Sequence, residues 1–335
     1  MEGEFNMSFF KNKYLRCIYI FVFFILYMMI CFLVPFTING SSDILEKKID
    51  IRKSVNDTEK SIKLLLSEDN SIVEMSFNDY LKGVLVGEVP VNYEIEALKA
   101  QAVVARTYTL HKLKNGAVKH SGGADMCDDI NCCQAYKTKE YAFQCWDDSE
   151  EKEKWAKFDS AVESTSGEVI LYSGELINAF FHAHSGGKTE SVKFLWSKQE
   201  IPYLISVPGN EGYTYQDVKV FSNDEFKSIV REKIGDMSGE IDIVIQDYTG
   251  SGRVNNLSIN NVKIEATTLR SLLGLRSTNF RVEKSDDKIS FYTVGYGHGI
   301  GMSQEGANQM AIDGKNHIEI IKHYYTGVEI SSVDV

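Results

Sequence analysis

The stretch "YLKGVLVGEVP" sets an acid in apolar surroundings. Read as a helix from about Asn78, it lines up Phe77, Leu81, Val84 and Leu85 at spacings of three and four, the pattern of a buried stripe. Glu88 falls on that stripe one turn further on, and Pro90 blocks the helix just beyond it. A carboxylate placed there is costly unless it is paired or protonated. Two readings follow: an ion-pair partner, or a general acid whose pKa is raised by its apolar neighbours. The negative end of the helix dipole favours the protonated form, which an acid catalyst needs.

Other residues also invite chemistry. In "EALKAQAVVARTYTL", Lys99 and Arg106 stand seven apart, close to one line of a helix. They either pair with acidic neighbours or clamp an anion, and Arg106, deeper among apolar residues, is the better carboxylate clamp. "GYGHGIGMSQEGA" alternates Gly295, Gly297, Gly299 and Gly301, which lets backbone approach a ligand closely, although a tight structural turn explains it equally well. His298 projects from that loop, and Ser303 or Gln304 opens the next helix. His182 and His184, two apart on a strand, share a face and read as a polar cleft wall or a metal contact. Cys127 and Cys133 enclose five residues, with His120 seven residues upstream, a looser spacing than most zinc sites use. Zinc, a disulfide and free thiols all fit this loop. In the zinc case Cys127, Cys133 and His120 are the ligands, with Cys132, His182 or His184 as substitutes, and the role is structural. Trp146, Trp155 and Trp196 read as core or as sugar-stacking residues.

The elements that must position these groups are a mixture. The long segment after "NYE" is apolar most of the way round and should be a buried helix. "GEVILYSGELINAFFHAHSGG" reads as a hairpin about Ser173-Gly174, its second arm placing Leu176, Asn178, Phe180, His182 and His184 on one face. Ser222 and Glu225 form a capping-box pattern, two hairpins flank a short helix at Thr267–Leu273, and a last helix lies near His317–Tyr325. With no repeat and no βαβ rhythm, the fold class is α+β, helices packed on antiparallel hairpins. Upstream, "CIYIFVFFILYMMICFLV" is an uninterrupted apolar run preceded by Lys11, Lys13 and Arg16. Its length is about the minimum for a membrane span, and the flanking charge predicts a cytoplasmic N-terminus; a cleaved signal peptide is the rival reading. The expected organisation is a cytoplasmic segment at 1–16, an anchor at 17–36, a charged stalk at 37–70 and a domain at 71–335, with a hairpin-rich subdomain at about 209–290. The chain carries a net charge of −11, and the part beyond residue 36 is as acidic, which excludes general nucleic-acid binding. The four cysteines outside the apolar run crowd between 127 and 145, too local for a disulfide framework.

Five stretches in this order, "YLKGVLVGEVP", "EALKAQAVVARTYTL", "FFHAHSGGKTES", "PYLISV" and "GYGHGIGMSQEGA", resemble the stage II sporulation protein D family, which also includes amidase-enhancer proteins of the cell wall. The resemblance runs from about Ser71 to the C-terminus. It implies a lytic transglycosylase that cuts glycan strands already stripped of stem peptides, during engulfment in sporulation, with Glu88 as catalytic acid. It further implies a single-pass protein of the mother-cell membrane facing the intermembrane space. Its expected partners are a sporulation cell-wall amidase, which removes the peptides, and an engulfment membrane protein. Such a reaction needs one carboxylate, because the sugar's own 6-hydroxyl replaces water as nucleophile. Arg106, Tyr203, His298, Ser303 and Gln304 are the expected substrate-binding residues, Arg106 for a lactyl carboxylate and the "PYL" tyrosine, Tyr203, for sugar stacking. Ile205 stands where the family commonly has a lysine, so a cation there is absent or supplied elsewhere. The cysteine before "QAY" matches clostridial-type members, whereas many others lack these cysteines, which argues against a universal catalytic metal. Two rival functions remain: a zinc amidase or peptidase built on His182, His184 and His298, without the H-E-x-x-H helix such enzymes use, and a non-enzymatic amidase activator that binds glycan.

Overall fold

Ile62 and Leu64 are fully buried in the computed structural model, which describes residues 61–115, 120–195 and 199–332. They lie on β1 (Ile62–Leu65), which pairs antiparallel with β2 (Ile72–Met75) and parallel with β3 (Met126–Cys127). The ordered domain therefore begins before Ser71: alternate apolar residues of this strand have a core to face, unlike those of a solvated stalk. The expected segments at 1–16 and 17–36, and the stalk as far as residue 60, lie outside the described residues. Among the described residues no helix is long and apolar enough to cross a membrane.

Helix α1 (Phe77–Glu88) starts where expected. Ser76 caps it by accepting the Asp79 N–H at 3.1 Å, and Val89 ends it with an extended backbone. Phe77, Leu81, Val84 and Leu85 are fully buried, each contributing roughly 1.5–3 kcal/mol. Together they outweigh the cost of one poorly solvated carboxyl at the helix end. The next helix, α2 (Ile95–Asn115), is buried on nearly every side. It packs on α1, on α4 (Glu151–Glu163) and on β4 (Glu168–Tyr172). Between α2 and α4 run the cysteine loop and the short α3 (Lys139–Cys145). The buried Lys82 of α1 bonds Asp159 of α4 at 2.8 Å, tying the two helices together.

β4 turns at Ser173 and Gly174, both with positive φ (51° and 78°), into β5 (Glu175–Leu176). The expected long second arm stops there. Leu176 and Ile177 are both buried, so strict alternation fails, and the chain bends away. It then forms β6 (Phe181–His182), which pairs in parallel with a strand from the far end of the chain.

The hairpin-rich part comprises β7 (Gln216–Ser222), α5 (Asn223–Ile234), the meander β8 (Ile243–Tyr248), β9 (Val254–Ile259) and β10 (Val262–Glu265), then α6 (Ala266–Leu273), β11 (Phe280–Lys284) and β12 (Lys288–Val294). Two antiparallel three-stranded sheets, ordered β10-β9-β8 and β11-β12-β7, enclose a hydrophobic cluster running from Phe221 to Phe291. Ser222 caps α5 through the Glu225 N–H. Last come β13 (Met302–Ser303), the partner of β6, then α7 (Gln304–Ile312), α8 (His317–Tyr324) and β14 (Glu329–Ser332), which closes on β4. α7 and α8 pack on α2, so the end of the chain returns to the first helices. The class is α+β, mostly antiparallel with two short parallel pairings.

Candidate active site

Glu88, the last residue of α1, lines a cleft of about 660 Å³. Its Oε1 accepts the Ala135 N–H at 2.7 Å. Burial pushes its carboxyl up to about 7 against the opposing pull of the Ala135 amide and the Gln304 side chain. Among the described residues no cation pairs with it, and no other acidic side chain lines the cleft. Among the described residues Glu88 thus lacks an ion pair, and burial favours its protonated form.

The Ala135 amide is delivered by close packing. Gly83 and Gly87 present bare backbone on one side of α1, and a Cβ on Gly87 would come within 2.9 Å of the Ala135 carbonyl carbon. The loop lies directly along the helix: Tyr136 stacks on Tyr80 at 6.1 Å, and the Lys137 N–H donates to the Gly83 carbonyl at 3.0 Å. Gln134, buried, donates to Thr109 at 3.0 Å and to Tyr80 at 3.3 Å, which ties the same loop to α2.

Just upstream the loop gathers His120, Cys127, Cys132 and Cys133, whose donor atoms all lie within 4.8 Å of one another. Cys133 Sγ is 3.5 Å from His120 Nε2 and 3.9 Å from Cys132 Sγ. A tetrahedral zinc site with Zn–S bonds of about 2.3 Å has S···S edges of about 3.8 Å. The donor set and its spacing fit such an ion. Lys112 Nζ approaches Cys133 Sγ at 3.2 Å and donates to the Cys132 carbonyl, placing positive charge beside the sulfurs. Cys132 thus joins the expected trio. His182 and His184 do not: His182 Nδ1 meets the Ile300 carbonyl at 3.1 Å, and His184 Nε2 the Tyr213 carbonyl at 3.0 Å. Among the described residues the three histidines of the amidase reading, His182, His184 and His298, form no metal-holding group.

The facing wall is the glycine loop. Gly297 has φ 109°, and a Cβ there would crowd His182 Cβ at 2.9 Å, so only glycine lets this loop pass over β6. His298 lines the cleft but is occupied structurally. Its Nδ1 accepts the Ile300 N–H at 3.0 Å and its ring also bonds the Phe181 backbone. Burial, then the charges of Arg270 and Arg253, hold its pKa down at about 3, so it is neutral at physiological pH. Gln304 lines the cleft beside Glu88, as expected of a substrate-side residue.

Three expected binding residues are elsewhere. Arg106 is 0% exposed, and its guanidinium donates to the carbonyls of Thr165 (2.7 Å), Val162 (3.2 Å) and Glu168 (3.3 Å). It closes the C-terminal end of α4, where orphan carbonyls and the negative helix end attract a cation, and does not line the cleft. Lys99 likewise pairs with Glu96 at 2.7 Å. Ser303 is buried, capping α7 through the Gly306 N–H and donating to Glu211 at 2.7 Å. Tyr203 packs on Tyr172 at 5.4 Å and accepts the Asn178 N–H, so its ring is not on the cleft wall. Trp146 packs on Phe143 and Phe158, Trp155 on Phe143, and Trp196 lies outside the described residues.

Conversely, the cleft wall includes Tyr108, Tyr296 and Arg270, which sequence reasoning passed over, and Phe180, which it placed on the His182 face without a role. Tyr296, 39% exposed, is held by the Arg276 guanidinium, which donates to its hydroxyl at 2.7 Å, and by stacking on Tyr215 at 5.9 Å. Its place inside "GYGHG" was the available signal, since an aromatic in a ligand-approaching loop is a stacking candidate.

Known proteins share this arrangement of sequence. A family model described as "Stage II sporulation protein" matches residues 67–172. The chain is 34% identical over 279 residues to stage II sporulation protein D of Bacillus amyloliquefaciens, covering 82% of this chain and 79% of that one. It is 34% identical over 277 residues to stage II sporulation protein D of Bacillus subtilis (strain 168), covering 82% and 80%. An amidase enhancer of Bacillus subtilis is 27% identical over 309 residues, 75% of this chain and 40% of that protein. With 34% of the aligned residues identical to these relatives across most of both chains, the protein belongs to the stage II sporulation protein D family.

Proposed function

We infer that this protein processes cell-wall peptidoglycan in sporulation, as a lytic transglycosylase acting on glycan strands whose stem peptides have been removed. The observation that carries this reading is the Glu88 carboxyl, its pKa pushed up to about 7, with no second acid on the cleft wall and no cation paired with it among the described residues. A hydrolase working through two carboxyls would need a second acid on the cleft wall. The names of its relatives, sporulation protein D and amidase enhancer, support the setting.

In this reading protonated Glu88 gives its proton to the glycosidic oxygen as the C1–O bond breaks. The 6-hydroxyl of the same muramyl unit then attacks C1, and its proton passes to the Glu88 carboxylate, restoring the acid and leaving a 1,6-anhydro end. The Ala135 N–H holds the carboxyl in place in both protonation states, and Gln304 faces it from the start of α7. A zinc ion, held by His120, Cys127, Cys132 and Cys133, would supply structural cross-linking only, since four protein ligands leave no position for a reactive water. What the loop itself contributes is the Ala135 amide, two residues beyond Cys133. The apolar run at 17–36 anchors the domain outside the cytoplasm at the mother-cell membrane. A sporulation amidase supplies the stripped strands, and an engulfment membrane protein works alongside.

Mass spectrometry of digested stripped strands tests the reading. Wild type yields fragments with 1,6-anhydro ends and Glu88→Gln yields none. Reducing ends would mean hydrolysis, and glycan binding without cleavage would mean an activator; either result overturns the proposal.

A further inference from the structure

Arg270 sits on α6, in the hairpin-rich part of the chain, yet lines the same cleft as Glu88. It is the only lysine or arginine among the described lining residues, and the two histidines nearby, His182 and His298, are held neutral by burial and neighbouring cations. Its side chain is fixed in advance. Nε donates to the Leu275 carbonyl at 3.2 Å, just past the left-handed Gly274 (φ 60°) that ends α6. The adjacent cation, Arg253, is engaged by the carbonyls of Lys188 and Ser185 and feels Glu190 and Glu211. Arg270 has no carboxylate partner among the described residues. Burial opposes its charge, and the Leu275 carbonyl offsets part of that cost. A half-buried guanidinium with fixed Nε and no counter-ion, on the wall of an open cleft, is a ready site for a bidentate anion. The chain as a whole is acidic and repels polyanions at long range, so an anionic strand needs a local cation to settle.

We propose that Arg270 grips the free lactyl carboxylate of a muramyl unit and so makes the cleft prefer strands without stem peptides. The proposal rests on the glycan reading given above for this cleft. When a stem peptide is attached, that carboxyl is an amide: it carries no charge and cannot accept two guanidinium hydrogen bonds. Opposite this cation would then lie a neutral group, leaving the guanidinium desolvated and without its partner. Peptide removal thereby becomes a charge signal read inside the cleft, beyond any steric effect of the peptide. Tyr296, beside Arg270, lines the same wall, its ring held between the Arg276 guanidinium at 4.5 Å and Tyr215.

Binding separates this claim from the chemistry. The catalytically inactive Glu88→Gln protein is titrated with stripped strands and with the same strands after chemical methylamidation of their lactyl carboxyls. The expected result is binding to stripped strands roughly 10- to 100-fold tighter than to amidated ones. Adding Arg270→Gln removes that ratio by weakening the stripped strand alone, and Arg270→Lys restores part of it. Equal binding of both strands by Glu88→Gln, or a ratio that survives Arg270→Gln in a variant whose thermal unfolding matches its parent, overturns the inference. In otherwise wild-type protein Arg270→Gln raises KM for stripped strands with little change in kcat. Should wild type bind strands in this charge-dependent way and leave no anhydro ends, the transglycosylase reading fails and the role of Arg270 stands.

Discussion

In the proposed reaction Glu88 would couple catalysis to stability. Its pKa rises from 4.5 to about 7 on folding, so the folded chain holds this proton more tightly than the unfolded one. Its contribution is therefore fully present below about pH 4.5 and lost as pH climbs through 7, a cost on the order of 3 kcal/mol above that point. Glu88→Gln should abolish cleavage yet raise the thermal midpoint by several degrees at pH 8, with almost no change at pH 4, which calorimetry at the two pH values will show. For the wild-type protein the proposed reaction predicts that kcat/KM on stripped strands declines above pH 7 as the acid loses its proton. Glu88 was legible in the sequence because helical periodicity and Pro90 together put it at an apolar helix end. Arg270 was not, because its helix shows only that Leu269 and Leu273 face a core; nothing local says that Arg270 borders a cleft formed with α1.

At the scale of an element, Arg106 corrects an expectation about function. Its position within an apolar helix correctly marked it as deeply placed, and depth is the reason it meets the end of α4 rather than solvent or substrate. Arg106→Gln removes charge-assisted bonds to buried carbonyls and should cost about 3 kcal/mol or more. The protein that still folds should bind stripped strands with an unchanged KM, the opposite of what a substrate clamp would show. Denaturant unfolding measured beside steady-state kinetics distinguishes the two. The hairpin at Ser173-Gly174 was readable for the reason Arg106 was not: two consecutive residues with positive φ leave a local signature, whereas the partner of a buried guanidinium is 56 to 62 residues away in the chain.

The whole molecule brings together stretches far apart in the chain, with Tyr108, Phe180 and Gln304 completing the wall. α1 supplies Glu88, the cysteine loop supplies the Ala135 amide, and the hairpin-rich part with the glycine loop supplies the opposing wall. If a zinc ion fastens the loop, purified protein carries about one per chain, and Cys133→Ser or prolonged chelation removes it. Activity should then fall at least tenfold as Ala135 loses its fixed position, with thermal stability falling in parallel. Elemental analysis that finds no stoichiometric metal in active protein excludes this role.

Taken alone, the sequence determined the α+β class, the helix that ends in a buried acid, the need for glycine in "GYGHGIG" and the local crowding of cysteines. Each follows from short-range rules: side-chain period, backbone freedom and spacing along the chain. Only the tertiary structure decided that Cys132 belongs with His120, Cys127 and Cys133, that Arg106, Ser303 and Tyr203 serve the scaffold, and that Arg270 and Tyr296 face Glu88's cleft. Periodicity states which side of an element is buried; what lies against that side is set by chain closure over scores of residues.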